Sequence, residues 1–114
     1  MSNNKTACVT GTDRGIGLAI TKSLLREGYM VYAGGILEHN AEMDLLAEQF
    51  PNQLQAFVLD VGSDESVMNA ASLIKSKTSK LDILINNAPR SSITRFEKKA
   101  DVSLFYILVG SKRI

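Results

Sequence analysis

Short, nearly unbroken apolar runs alternate along the chain with longer stretches in which apolar residues return every three or four positions. Thr6 to Thr10 (TACVT) is β-rich and halts at Gly11, which predicts a buried strand ending in a tight turn. From Gly15 to Glu27 the apolar Ile16, Ala19, Ile20, Leu24 and Leu25 keep helical spacing, with Thr21, Lys22, Arg26 and Glu27 opposite. Gly28 is a natural stop for that helix. Met30 to Ala33 predicts a second strand before Gly34 and Gly35. Asn40 is placed to cap a second helix carrying Met43, Leu46, Ala47 and Phe50 inward, closed by Pro51. Gln55 to Leu59 predicts a third strand. Ser63, followed by Asp64 and Glu65, opens a third helix whose buried stripe is Val67, Ala71 and Ile74, with Lys75, Lys77 and Lys80 near its negative end. Leu81 to Ile85 predicts a fourth strand running into Asn86-Asn87-Ala88-Pro89.

Strands separated by helices return in parallel, and parallel strands are covered on both faces, which suits their continuous apolar runs. The expected class is therefore α/β, a doubly wound parallel sheet. Residues 90–114 differ: six basic residues against two acids give them +4, while residues 1–89 carry −3. Their apolar block, Val102 to Gly110, predicts a helix capped by Asp101, although its length also permits a strand. The expected organisation is one domain, with 1–89 as its nucleotide-binding unit and 90–114 as a tail belonging to it.

With 114 residues, 45% apolar and 22% charged, the chain has room for one core. A net charge of +1 gives no field for steering nucleic acid or an anionic membrane, so neither partner is expected. No apolar run is long enough for a membrane span or secretory signal. The single cysteine, Cys8, excludes an internal disulfide and multi-cysteine metal sites and suits a reducing, cytoplasmic compartment. Within an apolar strand it reads as a small buried thiol.

The candidate chemistry lies between the first strand and the first helix, in Thr10-Gly11-Thr12-Asp13-Arg14-Gly15-Ile16-Gly17. A dinucleotide pyrophosphate needs close backbone approach, free N–H donors and a helix N-terminus, and glycines in this place meet those needs. Gly11 permits the sharp exit from the strand, Gly15 clears space for phosphate, and Gly17 lets the helix pack closely.

The G-x-x-x-G-x-G spacing, Asp60-Val61 after the third strand and Asn86-Asn87-Ala88 after the fourth together resemble the short-chain dehydrogenase/reductase family. The resemblance covers residues 5–89. It implies a Rossmann-type sheet ordered 3-2-1-4, truncated after the fourth strand, with nucleotide across the strands' carboxyl ends. It also implies that Gly11, Asp13, Arg14, Gly15, Ile16 and Gly17 surround the pyrophosphate and adenosine ribose. Asp60 would accept from the adenine amino group while Val61 packs on its ring, and Asn87 and Ala88 would line the nicotinamide-side ribose. The residues leave another option open: Asp60 could cap a loop, and Asn86 and Asn87 could tie the fourth strand to its neighbours.

An NAD-preferring member places an acid at the end of the second strand, where this chain has Gly34-Gly35-Ile36. Arg14 is positioned to pair with a 2′-phosphate, so NADP is the expected cofactor and NAD the lesser one. The family's chemistry, hydride transfer between nicotinamide and a carbonyl or alcohol carbon, needs a tyrosine with a lysine four positions on. Tyr106 is followed by Gly110 at that distance. The family's catalytic asparagine would fall near Ser111, or on Ser103 in a shorter register, and Pro89 stands where glycine is usual. Ser91, Ser92 and His39 form no nucleophilic arrangement. The chain alone is expected to be inactive, its small-molecule substrate belonging to a full-length form. The alternatives are a catalytically silent nucleotide-binding or interaction module and a truncated fragment. An open fourth-strand edge would need covering, so a second copy of the chain is the first expected partner.

Overall fold

Thr6–Thr10 (β1), Met30–Gly35 (β2), Leu54–Val58 (β3) and Lys80–Asn86 (β4) form strands joined through the helices Gly15–Arg26 (α1), Ala41–Gln49 (α2) and Asp64–Lys77 (α3). A further strand, Ser92–Asp101 (β5), follows β4. The computed structural model describes residues 5–12, 15–36, 41–60, 62–78, 80–87 and 92–101; for 80 and 92–101 only the backbone is considered.

The strands make one sheet ordered β3-β2-β1-β4-β5. The first four are parallel, with Cys8 level with Tyr32 of β2 and Leu84 of β4. Order and direction are those the resemblance implied. Side chains alternate across β1: Val9 packs with Val31, Ala33 and Ile85 beneath Leu18 and Leu25 of α1 and Met43 and Leu46 of α2. Cys8 packs on the other face with Tyr32, Leu59 and Leu84 beneath Val67, Ala70 and Ile74 of α3. Both faces of β1 are thus sealed, and all five of its residues are buried.

The caps explain where helices begin and end. Ser63 adopts extended backbone (φ −116°, ψ 119°) and its hydroxyl accepts from the Ser66 amide, while Asp64 and Glu65 fill the first turn of α3. At the end of α1, Gly28 takes φ +93°, Tyr29 N–H donates to the Leu24 carbonyl and Gly28 N–H to that of Leu25. Gln53 reaches back from before β3, donating from Nε2 to the carbonyls of Leu25 and Tyr29 at 3.0 and 2.9 Å. The α1 terminus is thereby fixed to the β3 side of the sheet.

Several expected faces are corrected. Ile16 is 66% exposed and Ala19 is exposed, whereas Leu18 and Thr21, the latter expected outward, are buried. The inward stripe of α1 is Gly17, Leu18, Thr21 and Leu25. Thr21 can enter the core because its hydroxyl donates to the Gly17 carbonyl at 2.9 Å, which satisfies its polar group within the helix. Ala47 of α2 is exposed, and on α3 Ala70 is buried while Ala71 is only partly so. Ala70 keeps the three- and four-residue steps from Val67 to Ile74 that one helix face requires.

The larger correction concerns the edge. β4 is not open: β5 pairs with it antiparallel, from Asn86↔Ser92 to Lys80↔Asp101. The premise for placing a second copy there falls away, because the chain itself supplies the missing hydrogen-bonding partner. The sequence reading found no strand in 92–101, since its apolar residues Ile93, Phe96 and Ala100 do not alternate but fall three and four positions apart. Asp101, the expected helix cap, is the last residue of β5, and the block 102–110 lies outside the described residues.

Candidate functional site

β1 leads through α1 to β2 on one side of it, whereas β3 leads through α3 to β4 on the other. The chain therefore parts between the carboxyl ends of β1 and β4, and an open α/β sheet has its crevice at such a switch point. The turn from Gly11 to Gly17 and the pair Asn86-Asn87 meet there.

Thr10 at the end of β1 holds the two together. Its hydroxyl donates to Asn86 Oδ1 at 2.8 Å, and the same oxygen accepts the Asn87 backbone N–H at 2.9 Å. Asn87 Nδ2 then donates to the Gly11 carbonyl at 3.3 Å. On the other side, the Thr12 amide donates to the Gly34 carbonyl at 3.2 Å and the Leu59 amide to that of Gly35 at 2.7 Å, linking the turn to the ends of β2 and β3. Three buried or half-buried residues thus clasp β1 to β4, and each contributes a polar atom that would otherwise need water. Asn86 Nδ2 is the exception: the residue is 2% exposed and this nitrogen has no hydrogen-bond partner among the described residues.

The glycines divide as the sequence suggested. Gly11 leaves the strand at φ +69°, in the left-handed region. A Cβ on Gly17 would collide with the Gly11 carbonyl oxygen and stand 2.8 Å from its carbon and 2.9 Å from Asn87 Nδ2, so only glycine lets α1 approach the turn this closely. Gly15 is the opposite case: at φ +65°, a Cβ there would meet nothing within 4 Å. Space beside the first turn of α1 is open, both Gly15 and Ile16 are exposed, and that turn holds no acid to neutralise the helix dipole. Exposed helix N–H groups, clearance and a positive dipole end fit the pyrophosphate of a dinucleotide.

Asp60, exposed after β3, accepts the Gly62 amide on Oδ1 at 2.9 Å, and its own amide donates to Ser66 Oγ at 2.8 Å. It therefore shapes the entry to α3, as the loop-capping alternative had it, while lying at the carboxyl edge. Asn86 and Asn87 do tie β4 to its neighbours. Asp13, Arg14, Val61, Ala88, Tyr106 and Ser111 lie outside the described residues, as do His39, Asn40, Pro89, Ser91 and Ser103. The roles of Thr10 and Thr12 were missed, although Thr10 opens the motif; its signal was a threonine at a buried strand end facing paired asparagines. A groove of about 200 Å³ between α1 and α2, lined by Lys22, Arg26, Glu42, Leu45, Leu46 and Gln49, includes none of the predicted cofactor residues. Cys8 is fully buried, and desolvation pushes its thiol well above the usual range, so it is no nucleophile.

A profile of the short chain dehydrogenase family matches residues 5–107, and the chain belongs to that family. It is 38% identical over 90 residues to the NADPH-dependent 1-acyldihydroxyacetone phosphate reductase of Saccharomyces cerevisiae, covering 76% of this chain and 30% of that protein. To the 15-hydroxyprostaglandin dehydrogenase [NAD(+)] of Bos taurus it is 32% identical over 115 residues, covering 96% of this chain and 42% of the other. Among solved structures it resembles the NADPH-bound carbonyl reductase from chicken fatty liver, with a TM-score of 0.71 and 25% identity, covering 96% of this chain and 46% of that one. The chain spans less than half the length of these relatives. What they share with it is the cofactor-binding region, and one is named for NADPH while another is named for NAD(+). No helix among the described residues is long and apolar enough to cross a membrane.

Proposed function

We propose that this chain is the dinucleotide-binding part of a short-chain dehydrogenase/reductase that holds NADP(H). The bound nicotinamide would supply hydride exchange with a carbonyl or alcohol carbon of a small molecule. Gly11, Asp13, Arg14, Gly15, Ile16 and Gly17 receive the pyrophosphate and adenosine ribose; Asp60 and Val61 receive the adenine; Asn87 and Ala88 receive the nicotinamide-side ribose. The observation that carries this reading is the open space at Gly15 beside an α1 N-terminus held rigid by the Thr10–Asn86–Asn87–Gly11 clasp. NADP over NAD is supported by Arg14 in the turn and by the end of β2, where Gly34 and Gly35 offer no carboxylate to repel a 2′-phosphate. A Cβ on Gly34 would stand 3.0 Å from Leu59 and Phe57 side-chain atoms, so those side chains would have to shift to admit one. Residues 1–89 form the nucleotide-binding unit, with 90–114 part of the same domain; β5 pairing on β4 supports this. A cytoplasmic setting fits the single buried thiol.

The same site also fits a second reading, a nucleotide-binding module that holds the dinucleotide without turnover. Fluorescence titration with NADPH and NADH tests the binding reading. NADPH should bind more tightly, and Arg14→Leu should erase the difference, a charge-assisted phosphate contact being worth about 1.5–3 kcal/mol, or roughly 10–150-fold in Kd. Binding of neither dinucleotide rejects both readings. Carbonyl reduction by this chain alone would reject the silent module.

A further inference from the structure

Only five residues, 87–91, separate β4 from β5. Parallel neighbours need a connection of roughly a dozen residues or more, so a strand reached by this link can return only antiparallel. β5 does so in two stretches, from Asn86↔Ser92 to Ile83↔Arg95 and again at Leu81↔Ala100 and Lys80↔Asp101. Its composition differs from the strands it joins. Arg95, Glu97, Lys98, Lys99 and Asp101 make half of its ten residues charged, whereas β1, β2 and β3 hold no charged residue. Charges, lysines above all, are what the rim of a sheet carries to stop another strand from adding. The pairing also shifts register between Leu81 and Ile83, an irregularity typical of rims. β4 carries two charges, Lys80 and Asp82, near its start, but Leu81, Leu84 and Ile85 are buried, and uncovered its second half would offer an apolar edge to another strand.

We propose that Ser92–Asp101 is a built-in strap that closes the β4 edge within the chain and denies that edge to a second copy. The inference is independent of dinucleotide binding.

A cross-link reads the register directly. In a Cys8→Ala background, Ile85→Cys with Ile93→Cys places two thiols on directly opposed residues, a spacing a disulfide can span. Oxidation should give an intrachain bond, seen as faster migration without reducing agent; a bond formed only between chains, or none, overturns the proposal. A second variant opens the edge. Of two consecutive residues in β5 one amide faces β4, so Ile93→Pro with Thr94→Pro removes an inner ladder bond. This double variant should lose exchange protection at β4 amides and gain at least twofold in mass by light scattering relative to the parent. An unchanged mass with protected β4 amides overturns the strap. Reactivity of Cys8 shows whether the sheet itself has survived, and if it has not, the cross-link decides.

Discussion

Gly17→Ala probes the closest approach in the site. The new methyl overlaps the Gly11 carbonyl oxygen and lies 2.8 Å from the carbonyl carbon and 2.9 Å from Asn87 Nδ2. Two of these atoms are backbone at a strand end whose neighbours are fixed by hydrogen bonds on both sides, so α1 must back away from the turn. Overpacking of this kind costs about 1–3 kcal/mol, and moving α1 also strains the Asn87–Gly11 hydrogen bond, worth about 1 kcal/mol. Alanine in place of glycine returns about 0.5–1 kcal/mol through helix propensity. The net loss is about 1–3 kcal/mol, or roughly 5–20 °C in Tm for a domain of this size. Thermal unfolding by far-ultraviolet circular dichroism reads it, and a double-mutant cycle with Asn87→Ala checks the cause. Both single changes disturb the same hydrogen bond, so their losses should fall short of additivity by about 1 kcal/mol. A Gly17→Ala chain that melts with its parent, or strictly additive losses, would refute the reasoning.

Other predictions concern the clasp, the α3 cap and pH. Thr10→Val leaves Asn86 Oδ1 and the Asn87 amide without their partner and should cost about 2–4 kcal/mol in urea unfolding, with Thr10→Ser largely restoring the loss. Ser63→Ala removes the cap of α3 and should cost about 1 kcal/mol, visible as a lower urea midpoint at unchanged slope. Burial raises the Cys8 thiol from its ordinary 9.0, and burial followed by the neighbouring Cys8 raises the Tyr32 hydroxyl from 10.0. The unfolded chain therefore gives up these protons at lower pH than the folded one. Stability should be complete below pH 9.0 and fall above it, by up to about 1.4 kcal/mol per pH unit from Cys8; Cys8→Ala should flatten that slope in urea unfolding at several alkaline pH values.

The strands and helices up to Asn86 were legible because each buried strand is a continuous apolar run and each turn carries its own residue: Gly11, Gly28, Pro51 and Ser63. The rotation of α1 was not. Hydropathy ranks Ile16 above Thr21, but the closeness of Gly17 to Gly11 turns Thr21 to the sheet, and a local hydrogen bond makes that burial cheap. β5 was hidden for a related reason: a rim strand made of charges has no apolar alternation to display, and its evidence lies in the shortness of the link after β4. At the site, the glycine turn announced itself by spacing. Thr10 did not, because its work is done across 76 residues, through a hydrogen bond to Asn86 that no local pattern encodes.

Whether the turn between β1 and α1 accepts a diphosphate is read most directly by amide chemical shifts during titration with NADPH. The account predicts saturable shifts concentrated at Gly11, Thr12, Gly15, Ile16 and Gly17 and at Asn87, with the amides lining the α1–α2 groove unmoved. Shifts confined to Lys22, Arg26 and Gln49, or none at saturating dinucleotide, would contradict it.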